Sequence, residues 1–243
     1  VRRAFLLAAL AALSVTAALP AEAQRRVARP AARVAAPARA IDWTRTAIAT
    51  PAGGVRLGNP AAPVKLVEYG SITCSHCAEF AREATAGLYA HVRTGRVSWE
   101  YRPYMIFPTD PGIFALLSCQ GPRGWFGSIE QLYASQPGWW GRAQAYIEAN
   151  RSQLEAMSSP RRSAALVRAA GLDAFFRQRG MTPAAFNACL ANPRNQQRIA
   201  DITARATRTE AVQGTPTFFI NGVLAYAGSW GLLDVMLRQG RAN

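Results

Sequence analysis

The chain has 243 residues and four cysteines, with 28 Lys and Arg against 14 Asp and Glu, a net charge of +14. Past its N-terminal region, that length suits one domain carrying an insertion. The basic balance points first to nucleic acid or an anionic membrane, but the arginines are dispersed and no nucleic-acid motif accompanies them. What the charge implies is solubility and weak association with anionic surfaces, with no nucleic-acid partner.

Val1-Arg2-Arg3 precedes an apolar run from Ala4 to Leu19, then Pro20-Ala21-Glu22-Ala23. A basic start, an apolar core and a small-x-small site describe a secretory signal peptide over residues 1–23, cleaved after Ala23. The run is short for a membrane span of about 20 residues, although an uncleaved anchor is the alternative. Export matters for the cysteines, because disulfides persist in oxidising compartments. Residues 24–51 are rich in Ala, Arg and Pro and read as a flexible lead-in. Ile41-Asp42-Trp43 is expected either to dock on the domain or to form an oligomerising helix.

The domain is expected over 52–241. Gly58-Asn59-Pro60 is a turn, and Pro63 opens a strand over Val64–Tyr69. A helix begins at Ser75, with Cys77, Phe80, Ala81, Ala84 and Leu88 on one face. Thr94-Gly95 ends it, and Val97–Met105 is the next strand, giving a βαβ unit with parallel strands. A helical block of about 109–210 follows. Its candidates are Gly112–Gln120, Ile129–Tyr133, Ala143–Asn150, Pro160–Ala170, Pro183–Leu190 and Asn195–Glu210. Thr215–Ile220 and Val223–Ala227 flank Asn221-Gly222, a strong hairpin signal. Ser229 caps a last helix through Leu237, which Gly240 ends. The layout is α/β: βαβ, a helical insert, then ββα.

Cys74-Ser75-His76-Cys77 is where the first strand hands over to the helix. Thiols at this spacing sit one turn apart, and the first lies at a helix N-terminus, where the dipole and unpaired N–H groups favour a thiolate. His76 adds to that preference when it donates or is protonated. Accessible low-pKa cysteines beside a resolving cysteine perform thiol–disulfide exchange. The local motif alone leaves two alternatives open: an inert disulfide, and half of a zinc site. A zinc site needs two more ligands, yet no second Cys-x-x-Cys exists and His91 is the only other histidine. Glu68 interrupts a core strand, so its carboxyl either faces water or is buried with a raised pKa. Arg102, on the following strand, is a candidate partner for it. Trp125, Phe126, Trp139 and Trp140 line helix joints and read as core in preference to a groove for unfolded chains.

Four stretches together resemble the DsbA-family thiol–disulfide oxidoreductases, a thioredoxin-like fold with an inserted helical domain. They are Leu57-Gly58-Asn59-Pro60 with Ala62-Pro63-Val64; Glu68; Cys74-Ser75-His76-Cys77; and Gly214-Thr215-Pro216-Thr217-Phe218 followed by Asn221-Gly222. The resemblance implies that Cys74 is the nucleophile and Cys77 the resolving thiol. It implies that Glu68 relays protons to Cys77, and that Pro216 is cis and presents the Thr215 backbone to substrate. It also implies a structural bridge between Cys119 and Cys189, two free buried thiols being the alternative. Ser75-His76 departs from the family's usual Pro-His, and Thr215 stands where its best-known oxidases carry valine and isomerase-type relatives carry threonine. No cofactor is called for. The partners implied are exported proteins with free cysteines and a quinone-linked membrane protein that reoxidises the pair. Two rivals remain: an isomerase or reductase of the same fold, whose oligomerising segment would have to be Gln24–Thr50, which lacks heptads, and a copper- or zinc-binding module built on Cys74 and Cys77.

Overall fold

A computed structural model describes residues 41–242. The expected signal peptide and the first part of the expected lead-in, to residue 40, lie outside the described residues. In the remainder, Ile41-Asp42-Trp43 takes the docking alternative, and the rest is ordered where a flexible lead-in is expected. Trp43–Arg45 form a single 3-10 turn capped by the Asp42 carboxylate, and Ala47–Ala49 form strand β1. The physical reason is a docking surface that local composition does not reveal. Trp43 packs against the core and sits over Gly95, where an added Cβ would stand 2.7 Å from the indole nitrogen. Gly95 also has φ +74°, so any side chain there would be strained as well as crowded.

The sheet has six strands in the order β1-β2-β4-β3-β5-β6. They are β2 (Val55–Gly58), β3 (Val64–Gly70), β4 (Val97–Pro103), β5 (Thr217–Ile220) and β6 (Val223–Ala225). Helix α1 (Ser75–Arg93) joins β3 to β4, which pair in parallel as the βαβ reading requires. Strand β3 lies between β4 and β5, covered on both edges, and buries Val64, Leu66, Glu68, Tyr69 and Gly70. Helix α1 buries Cys77, Phe80, Ala84, Leu88 and Val92, one stripe at helical spacing that lies on the sheet. Strands β1 and β2, too short and mixed to show a period, extend the sheet beyond β4. At the β5–β6 hairpin, Asn221 and Gly222 both have positive φ, 53° and 84°. That pair of angles is why Asn-Gly occupies a tight hairpin.

Between β4 and β5 the chain is helical: α2 (Asp110–Gln120), α3 (Trp125–Ala134), α4 (Gln136–Ala149), α5 (Arg151–Glu155), α6 (Ser159–Ala169), α7 (Leu172–Arg177), α8 (Pro183–Ala191) and α9 (Pro193–Thr209). Helix α2 is the axle of this insertion. Its Ile113-Phe114-Ala115-Leu116-Leu117 run is fully buried on every side, as expected of a helix apolar all round, and it packs on α6, α8 and α9. Helix α10 (Trp230–Gln239), capped by Ser229, returns to pack on α1. Trp125, Phe126 and Trp139 are core; Trp140 is half-buried against Phe107, their ring centroids 5.0 Å apart. No described helix is long and apolar enough to cross a membrane.

Candidate active site

The parallel pairing of β3 and β4 drives the chain out of the sheet at Gly70, through the turn Ser71–Thr73, and into α1 at Cys74. Cys74 is the N-cap. Its sulfur takes the place of a capping oxygen and accepts the Cys77 N–H at 3.3 Å. On its other side the Cys74 thiol donates to the Thr215 carbonyl at 3.3 Å. The Thr215–Pro216 peptide bond is cis. Residues 141 positions apart in sequence thus meet at one sulfur.

The two sulfurs differ sharply. Both residues are buried, but Cys74 keeps 8% of its surface and Cys77 none, so the first is the more open of the two. The neighbouring Cys77 thiol is the largest cause holding the Cys74 thiol down, to about 5; burial opposes it, while Thr215 and the backbone N–H groups of Cys77 and His76 add to it. Burial pushes Cys77 well above the ordinary thiol range, and its negative neighbour Cys74 pushes it further. A more open thiolate beside a more deeply buried, protonated thiol is the asymmetry thiol–disulfide exchange requires. The Cys74 and Cys77 sulfurs are both free thiols in this structure.

His76 is exposed on the first turn of α1, and what it presents to Cys74 is its backbone N–H. Glu68 is buried, and its Oε2 accepts the Trp99 indole N–H at 3.0 Å. Burial raises its pKa to about 8; the indole opposes this and the charge of Cys74 adds to it. Arg102 is not its partner. In the parallel register Glu68 stands opposite Tyr101 while Tyr69 stands opposite Arg102, so Glu68 and Arg102 project from opposite faces of the sheet. Arg102 instead donates to Glu100 at 2.8 Å, to the Tyr69 hydroxyl at 3.0 Å and to Glu210 at 3.3 Å.

Cys119 and Cys189 are bonded to each other, joining α2 to α8 across 70 residues. Among the described residues no group of three or more His, Cys, Asp or Glu is placed to hold a metal ion.

Sequence reasoning missed three residues that hold the turn. Asp110, at the start of α2 and fully buried, accepts from Ser71 Oγ, from Thr73 N and Oγ1, and from the N–H groups of Ile106 and Phe107, at 2.7–3.2 Å. The Tyr133 hydroxyl donates to the Ser71 carbonyl at 3.0 Å and accepts from Tyr101 at 2.7 Å. Gln136 Nε2 donates to the carbonyls of Ile72 at 2.7 Å and Cys74 at 3.0 Å. Only Asp110-Pro111 left a trace in the sequence, as an acidic helix start.

A family profile described as thioredoxin matches residues 50–229. A protein-disulfide isomerase of known structure from Novosphingobium aromaticivorans is 30% identical, the match covering 76% of this chain and 95% of that one, with a TM-score of 0.71. The Wolbachia pipientis α-DsbA1 structure, 20% identical with a TM-score of 0.59 over 79% of this chain and 92% of that one, shares the fold. A Rickettsia bellii protein named as a protein-disulfide oxidoreductase is 24% identical over 170 residues, covering 69% of this chain and 56% of that protein. The chain spans about half the length of the curated relatives it matches. With its βαβ and ββα halves joined through a helical insertion, the chain belongs to the thioredoxin family, among the DsbA-like thiol–disulfide oxidoreductases.

Proposed function

We propose that this protein is an exported thiol–disulfide oxidoreductase that passes a Cys74–Cys77 disulfide to cysteines of proteins folding in the periplasm, acting as an oxidase. One observation carries the reading: a Cys74 sulfur at a helix N-terminus, held near pKa 5 beside the more deeply buried Cys77 and opposite the Thr215 carbonyl.

In the proposed forward reaction, a substrate thiolate attacks Cys74 Sγ of the oxidised pair. The Cys74–Cys77 bond breaks, and its electron pair leaves on the Cys77 sulfur. Cys77, strongly disfavoured as a thiolate, takes up a proton. Glu68, whose pKa near 8 keeps it protonated at neutral pH, is the buried acid that relays that proton in this reading; once ionised, its charge would disfavour the Cys77 thiolate. A second substrate thiolate then attacks the substrate sulfur of the mixed disulfide and expels Cys74 as a thiolate. The low Cys74 pKa makes it a good leaving group, so the reduced enzyme is favoured and the couple is oxidising. The substrate dithiol is oxidised, the pair is reduced, and a quinone-linked membrane partner restores the disulfide.

The test is the reduction potential of Cys74–Cys77 against glutathione, in the mature protein with Cys119 and Cys189 replaced by Ala. A potential near about −120 mV, that of strong periplasmic oxidants, supports an oxidase. A value near about −270 mV, that of thioredoxin-type reductants, overturns it in favour of a reductase.

A further inference from the structure

The turn that delivers the nucleophile belongs to the thioredoxin half, but most of what holds it does not. Tyr133 from α3 caps the Ser71 carbonyl, Gln136 from α4 caps those of Ile72 and Cys74, and Asp110 from α2 receives the Thr73 N–H. Three helices of the insertion thus grip four consecutive residues ending at the nucleophile. Gln136 is the member that touches Cys74 itself. It is buried, it opens α4, and its amide spans the two carbonyls on either side of the Thr73–Cys74 link.

We propose that Gln136 is a positioning residue for the exchange reaction, through which the helical insertion sets the reactivity of Cys74. The inference rests on the reading of Cys74 as the attacking sulfur. Two physical effects act together. The amide donors cover the negative ends of two carbonyl dipoles beside the sulfur, which would otherwise oppose a thiolate. They also fix the turn so that the Cys77 N–H points at Cys74 Sγ. Both effects matter to the thiolate and little to the disulfide, which carries no charge. A thiolate-specific loss therefore separates positioning from simple packing. The Cys74 carbonyl keeps the Ala78 N–H at 3.2 Å without Gln136, so removing the amide weakens this end of the turn without stripping the helix of its first bond.

The experiment uses the full protein with its Cys119–Cys189 bridge intact. Gln136→Met keeps the length of the side chain and removes both N–H donors; Gln136→Glu keeps the shape and, once ionised, sets a charge against the same carbonyls. In reduced protein, Cys74 thiolate is followed by absorbance near 240 nm against pH, with Cys74→Ser as the blank, and the pair is equilibrated with glutathione. The expected result for Gln136→Met is an upward displacement of the titration that cuts the thiolate fraction on its acid side about tenfold. A tenfold fall in the oxidising equilibrium accompanies it, which is about 30 mV for a two-electron couple. Gln136→Glu displaces both further in the same direction. A titration and equilibrium unchanged in whichever variant folds, even with thermal stability lowered equally in both redox forms, overturn the inference. Wild-type protein lacking an acidic Cys74 thiol would instead overturn the reading of Cys74 as nucleophile, a distinct result visible before any Gln136 variant is made.

Discussion

The chain has two cysteine pairs, and the helix ends they occupy are opposite. Cys74 caps the N-terminus of α1, where free N–H groups and the positive end of the dipole favour a thiolate. Cys119 lies in the last turn of α2 and Cys189 near the end of α8, both at carbonyl ends, where a thiolate is disfavoured. One pair is three residues apart and free; the other is 70 apart and bonded. The same side chain is therefore made reactive or inert by which end of a helix presents it. A thiol that is a poor thiolate is also a poor leaving group, so the second bridge resists the exchange that the first performs.

The largest effects come from removing either pair. Cys74→Ser is expected to abolish oxidation of a reduced dithiol peptide, measured as peptide disulfide formed with time. Replacing Cys119 and Cys189 by Ala should leave that rate within about twofold, while urea denaturation reveals a loss of about 2–4 kcal/mol. A double variant that folds with full stability but loses exchange would invert the assignment of the two pairs.

Linkage to pH sharpens the contrast further. Glu68 has a folded pKa near 8 against 4.5 for the free group, so the folded state retains a proton that the unfolded chain releases. Its contribution to stability is complete below about pH 4.5 and is lost as pH rises through about 8. Glu68→Gln should remove that slope, leaving the variant more stable than wild type at pH 8 by a few kcal/mol at most. Cys74 runs the other way. Its folded value is depressed to about 5 from 9.0, so in reduced protein its contribution is full above pH 9 and is lost as pH falls through 5. The oxidised protein has no such group. The stability difference between reduced and oxidised forms should therefore widen from pH 5 to 9, and denaturation of each form across that range checks it. A difference that stays flat would mean that Cys74 is an ordinary thiol. The Cys119–Cys189 bridge adds no pH dependence in either form.

How much of this was legible depends on the range of the interaction. Cys74 and Cys77 could be read because three residues of sequence contain the whole motif, and β3 because Val64–Tyr69 carries its own composition. The helical block was legible through the run of helix candidates from Gly112–Gln120 to Asn195–Glu210, the first of which is the apolar α2. Strands β1 and β2 were not, because they are short, and β2 owes its place to β4, forty residues and more downstream, while β1 pairs only on β2. The Arg102 expectation failed for a related reason: which face a residue takes depends on register, and register is set by the partner strand. Gln136 was silent altogether, since an amide at a helix start looks the same whether it meets water or the Cys74 carbonyl.

The smallest expected effect lies at Thr215, whose carbonyl and hydroxyl play different parts. The carbonyl accepts from Cys74, a backbone contact that survives any substitution preserving the cis bond. The hydroxyl oxygen is buried and finds no hydrogen-bond partner, yet it lies near enough to both sulfurs to lower the pKa of each. Without a thiolate the hydroxyl is an unpaired buried polar group, which destabilises; beside a thiolate it is a donor, which stabilises. Thr215→Val should therefore leave the oxidised protein as stable or slightly more stable, within about 1 kcal/mol. In the same variant the Cys74 titration should move upward by less than the Gln136→Met displacement, and the pair should become slightly less oxidising. Opposite signs for stability and thiolate affinity in one conservative substitution are the signature of a donor kept for the reduced state. A fall in both would mean that the hydroxyl has a structural partner in solution, and that the turn at Pro216 contributes to folding more than to exchange.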